Sequence, residues 1–138
     1  MSITADVFIK FKGSRKKLLQ ILDKDFRIVL DSDTNWFLGF MEMDVFGRTE
    51  KEPCFRPYDF VLESEDHAWS SAFGTASDGH LVVMDMLAQT LAAKLKTRTM
   101  LFSDELGVQR RYRYVRPMRR NKGCMVLDES TGKPPELE

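Results

Sequence analysis

Between residues 81 and 95, Met84, Leu87, Ala88, Leu91, Ala92 and Leu95 recur at intervals of three and four, while Asp85, Gln89 and Lys94 fall elsewhere. That spacing puts the apolar side chains on one stripe of an α-helix. Segments before and after it alternate with a period of two, the mark of half-buried strands. A chain carrying both periods is confined to a sheet with helices laid on it, because every helix stripe and sheet face must bury itself against another layer. Ser77 or Asp78 can cap the start of this helix, and Lys94, Lys96 and Arg98 complement its negative end.

Upstream, Val7, Ile9 and Phe11 alternate with Asp6, Phe8 and Lys10, which predicts a strand over 5–11. Ser14 then caps a helix with Leu18, Leu19, Leu22 and Phe26 facing inward. Its leading bases, Arg15, Lys16 and Lys17, oppose the helix dipole, so packing must hold it. A short strand at 27–30, a turn at 31–33 and a longer strand at 36–46 follow. In the longer strand Trp36, Leu38, Phe40 and Glu42 share one face and Phe37, Gly39, Met41 and Met43 the other, a pattern suited to a central strand. Residues 47–57 form a charged connection with two prolines. Tyr58, Phe60 and Leu62 predict a strand over 58–63, and 64–79 is a loop into which Trp69 and Phe73 pack. Strands at 99–102 and 108–118 follow the second helix, separated by a turn at 103–107.

The expected architecture is α+β: a largely antiparallel sheet of about six strands, two helices on one face, in βαββ–βαββ order. Residues 1–120 form one domain and 121–138 a loosely ordered tail with an apolar patch at 125–127. Segments 26–33 and 98–104 both close an apolar strand with Ser-Asp; a duplicated unit and ordinary turn chemistry account for this equally well.

A length of 138 residues with 43% apolar and 30% charged content is that of a globular domain. The first residues lack the basic-then-apolar pattern of a signal peptide, and 81–95 is too short and polar to span a bilayer, so the expectation is a cytoplasmic protein without membrane association. Cys54 and Cys124 stand far apart, and both a disulfide and two free thiols fit, a reducing cytosol favouring thiols. A zinc site built from them with His67 and His80 would draw ligands from four unrelated segments, so no metal and no cofactor are expected. No orienting third residue marks a Cys-His nucleophile, and the scattered glycines form no phosphate-binding loop. The chain reads as a binding protein, not an enzyme. The carboxylate pairs Glu42/Asp44 and Glu63/Glu65 each share a strand face; an acid–base couple uses that spacing, and so does a solvated sheet surface.

The charges cancel overall yet are sorted along the chain. Residues 42–66 hold eight acids against Arg48, Lys51 and Arg56, whereas 106–122 hold seven bases and no acid. Two candidate surfaces follow. The acidic one is Glu42, Asp44, Glu63, Glu65 and Asp66, with Trp69 and Phe73 as aromatic anchors for a protein partner. The basic one is Arg110, Arg111, Tyr112, Arg113, Tyr114 and Arg116, where guanidinium groups interleaved with rings suit single-stranded RNA. Set against the second is an arrangement in which the tyrosines pack over the helices and the arginines pair with the chain's own acids.

The order of elements in the second half (Tyr58-Asp59-Phe60-Val61-Leu62-Glu63, a loop, the 81–95 helix, then Met100-Leu101-Phe102-Ser103-Asp104-Glu105) resembles small bacterial immunity proteins of polymorphic-toxin and contact-dependent growth inhibition systems. The resemblance implies a cytoplasmic, non-catalytic protein that binds one cognate toxin domain and blocks its active site. A toxin nuclease is basic around its substrate groove, which makes the acidic block the expected docking face.

Overall fold

A computed structural model describes residues 3–26, 36–37, 41–66, 77–104, 106–116 and 126–129. Its strands are β1 (Ile3–Ile9), β2 (Trp36–Phe37), β3 (Met41–Gly47), β4 (Phe60–Asp66), β5 (Arg98–Ser103), β6 (Val108–Tyr114) and β7 (Val126–Asp128); its helices are α1 (Arg15–Phe26) and α2 (Ser77–Leu95). The strands form one sheet in the order β2-β3-β4-β1-β5-β6-β7, with every neighbouring pair antiparallel. β4 and β5 both flank β1, so α2 joins two parallel strands across an intervening third, a split β-α-β unit. The α+β class and the packing of both helices on one face are as the sequence implies.

The helix-covered face is the main core. Ala5, Val7 and Ile9 of β1, Met43 and Val45 of β3, Leu62 of β4 and Leu101 of β5 meet Leu18 and Leu22 of α1 and Met84, Leu87, Ala88, Leu91 and Ala92 of α2. Each large side chain of this set contributes about 1.5–3 kcal/mol by leaving water. Ser14 caps α1 as its position suggests: its hydroxyl accepts the Lys17 amide at 3.2 Å, and its carbonyl accepts the Leu18 amide at 3.1 Å. α2 ends on Lys96, whose φ of 53° is left-handed, and the Thr97 amide closes back on the Ala92 carbonyl at 3.0 Å. That is a Schellman-type stop with lysine where glycine is usual.

The opposite face carries a second, smaller core. The 47–57 connection is more than a linker: Phe55 and Tyr58 lie down on Phe8, Val61 and Met100, with Cys54 and Phe102 at the margin. Phe55 sits 4.7 Å from the Phe8 ring and stands edge-on to Phe102 at 5.1 Å. Arg48 staples the segment by donating to the carbonyls of Tyr58 and Glu50. Tyr58 therefore precedes β4 and faces the smaller core, out of phase with Phe60 and Leu62.

Three further expectations need correction. Residues 36–46 are not one central strand; β2 and β3 pair antiparallel, Trp36 opposite Glu42, and β2 is the outermost strand on that side among the described residues. Asp85 does not face away from the core but is buried under β6. The residues after 120 are not all tail, because Val126–Asp128 adds β7 beside β6 and buries Val126. The expected strand at 27–30, the turn at 31–33, the loop positions Trp69 and Phe73, and Cys124 lie outside the described residues.

Candidate functional site

Antiparallel register turns the acidic block into a patch. Asp44 of β3, Glu63 of β4 and Asp6 of β1 lie directly opposite one another across three strands. One row further along, Glu42 of β3 faces Glu65 of β4. Asp6, Asp44 and Glu63 alternate with Met43, Val45, Leu62, Ala5 and Val7 of the main core, so they share the face away from the helices. Asp66, opposite Met41 and Ile3, is out of phase with the set. Opposed strand positions are about 5 Å apart, close enough for like charges to repel. Glu63 registers this: its carboxyl is pushed above the usual carboxylate range, first by partial burial and then by Glu50 and Asp44.

Arg15 moderates the patch at its β3 edge, donating to the Val45 carbonyl at 2.7 Å and to Asp44 at 3.2 Å. Beside the acids stands Phe46, 44% exposed, on the same face of β3 two positions beyond Asp44. Thr4, Asp6, Asp44, Phe46 and Glu63 line a shallow depression of about 330 Å³. Phe46 was not singled out from sequence, although the alternation Glu42, Asp44, Phe46 places all three on one face.

The basic strand is divided between two faces. Arg110 and Tyr112 turn toward α2: the Tyr112 hydroxyl donates to Asp85, Arg110 donates to the same carboxylate at 3.3 Å, and Gln89 adds a bond at 3.1 Å. Burial and the adjoining Asp85 carboxylate both push the Tyr112 hydroxyl well above its ordinary range. Tyr112 is thus an internal strut and offers no ring for stacking. Arg111 and Arg113 face the other way, and Glu129 holds Arg98 at 3.3 Å and Arg113 at 3.6 Å. Arg116 is exposed and Tyr114 half-buried at the strand end. Among the described residues only the Arg15–Asp44 pair draws on the 42–66 acids, and the arginines of β6 pair with Asp85 and Glu129 instead.

Near the Glu129 cluster, Cys54, a free thiol, shares a depression of about 450 Å³ with Tyr58, Arg98 and Arg111. Burial is the main reason the Tyr58 hydroxyl is pushed up to about 12. Among the described residues no group of three or more His, Cys, Asp or Glu side chains is placed to hold a metal ion, and no helix is long and apolar enough to cross a membrane. No family model, no curated protein and no solved structure matches this chain.

Proposed function

We propose that this is a non-catalytic binding protein that docks a basic protein partner on the acidic face of β1, β3 and β4, in the manner of an immunity protein that neutralises a toxin domain in the cytoplasm. The observation that carries the reading is the cross-strand row Asp44, Glu63, Asp6 standing beside exposed Phe46. Carboxylates massed in this way repel, and a fold keeps such an arrangement where a function uses it. A basic nuclease groove would relieve the repulsion, accelerate encounter and penalise wrong partners. Phe46 supplies an aromatic anchor at the patch itself, the kind of side chain that holds a complex once formed. Trp69 and Phe73 remain candidates for the same role.

The test is binding kinetics against the product of the adjacent gene, together with protection of cells from it. Glu63→Lys with Glu65→Lys should slow association and flatten its salt dependence, while Phe46→Ala should mainly speed dissociation. Variants that bind and protect like the parent would rule out this face.

A further inference from the structure

The end of the sheet remote from the acidic patch carries a groove of about 480 Å³ where β1 finishes, α2 stops and β5 begins. Lys10 and Lys12 come from the end of β1, Lys96 from the α2 stop, Arg98 from β5 and Arg113 from β6. Phe11 and Tyr114 line it among the cations. The depression holding Arg111 adjoins it through Arg98, which lines both, so the cations follow a track from the sheet end onto the face away from the helices. We infer that this track binds a single-stranded nucleic acid, its cations on phosphates and its two rings against bases.

Four observations support that occupant. First, no ion pair among the described residues engages Lys10, Lys12, Lys96 or Arg111; Glu129 alone offsets Arg98 and Arg113. A cation beyond the end of α2 complements the helix dipole, but Lys10, Lys12 and Arg113 belong to other elements and that role does not explain them. Second, the backbone holding the rings is fixed. The Phe11 amide is held by Asp59 at 2.9 Å, its ring meets Phe60 at 6.1 Å, and the Tyr114 amide bonds the Thr97 carbonyl at 3.0 Å. Rings carried on a fixed backbone beside exposed lysines make a stacking platform with a phosphate rail, whereas an acidic peptide has no use for the rings. Third, the acidic patch cannot quench the groove: Asp6 and Lys10 are four residues apart on one strand, about 13 Å, beyond a physiological Debye length. Fourth, this site does not need Tyr112, which Asp85 occupies, so it differs from a flat Arg/Tyr strand surface.

The experiment is fluorescence anisotropy with labelled single-stranded RNA and DNA oligonucleotides of mixed sequence, and a labelled polyglutamate peptide as the competing class. The parent should bind oligonucleotide at low salt with a log–log salt slope of about −2 to −3.5, as expected for three to five phosphate contacts to a single strand. Lys10→Gln, Lys12→Gln and Lys96→Asn combined should make that slope shallower by about 2 and weaken binding more than tenfold. Asparagine tolerates the left-handed backbone at 96, so this variant keeps the fold, as an unchanged melting temperature would verify. Tyr114→Leu should weaken binding about 5- to 150-fold, the range for loss of one stacked base. Absence of binding at low salt, or binding unchanged in the triple variant, would overturn the inference. Polyglutamate binding as tight as oligonucleotide, with no effect of Tyr114→Leu, would overturn it in favour of an acidic protein partner. Loss of the acidic face by Glu63→Lys leaves this binding intact, which separates it from the docking reading above.

Discussion

Asp85 is the most informative residue to perturb, because three partners from two elements converge on one buried carboxylate. Its side chain is 13% exposed and accepts from Tyr112, itself 2% exposed, from Arg110 and from Gln89. A hydrogen bond to a charged group contributes about 1.5–3 kcal/mol when shielded, which sets the Tyr112 share. Arg110 is 49% exposed, so its ion pair adds less than about 1 kcal/mol, and the Gln89 pair one turn away adds about 0.2–0.5 kcal/mol. Alanine recovers about 0.5 kcal/mol of helix propensity. Asp85→Ala should therefore cost about 1–4 kcal/mol, Tyr112→Phe about 1.5–3 kcal/mol, and Arg110→Gln under about 1 kcal/mol. Urea denaturation with unchanged slopes gives these values, and the Asp85/Tyr112 double-mutant cycle should return a coupling of about 1.5–2 kcal/mol. Additivity within about 0.5 kcal/mol would mean that Tyr112 is held by packing alone and that the carboxylate does not pin α2 to β6.

Leu91→Ala, at the centre of the α2 stripe and fully buried, should lower stability by about 2–5 kcal/mol in the same assay. Lys96→Gly should raise the melting temperature by relieving about 1 kcal/mol of left-handed strain, whereas Gly107→Ala, at φ 63° with open space around it, should lower stability by a similar amount through the backbone alone. Glu63→Gln should stabilise the protein at neutral pH. The folded carboxyl holds its proton above 4.5 while the unfolded one has released it, so stability falls as pH rises through that window. Parent and variant should converge at lower pH, where both side chains are neutral, and a gain that persists there would assign the effect to something other than charge.

Local period was a reliable guide wherever one face of an element meets one core. The inward sets of β1 and α2 and the two faces of β6 follow directly from alternation or from three-and-four spacing. It misled where a second layer intervened. Tyr58 looked like a strand residue because it matches Phe60 and Leu62 in parity, yet the turn at Phe55 carries it to the smaller core. Asp85 falls off the apolar stripe of the helix, and only the register of β6 shows the phenol and guanidinium waiting for it. The antiparallel pairing of β2 with β3 breaks what reads in sequence as one unbroken apolar run. The acidic members Glu42, Asp44, Glu63 and Glu65 were legible as same-face pairs within strands. Their assembly, and the addition of Asp6 from a segment far away in sequence, depended on β1 inserting between β4 and β5.

Among the described residues that insertion also sets acids at one end of β1 and cations at the other, although the chain as a whole has zero net charge. β1 runs from the acidic row at Asp6 to the lysines just past its far end, and the strands beside it repeat the sense: β4 ends among the acids, β5 begins at Arg98, and β6, next to β5, carries Arg113 one residue before its end at Tyr114. Zero net charge removes long-range attraction to any partner, whereas local separation of charge can still orient one on approach. Asp6 and Lys10 are separated by more than a Debye length at physiological salt, so on the proposals above each end would act on its own ligand without quenching the other. A basic protein and a nucleic acid would then be received at opposite ends of the same strand. Charge reversal at Glu63 and neutralisation at Lys10, Lys12 and Lys96 accordingly probe two independent surfaces, and in a combined variant their binding effects should add within about 0.5 kcal/mol.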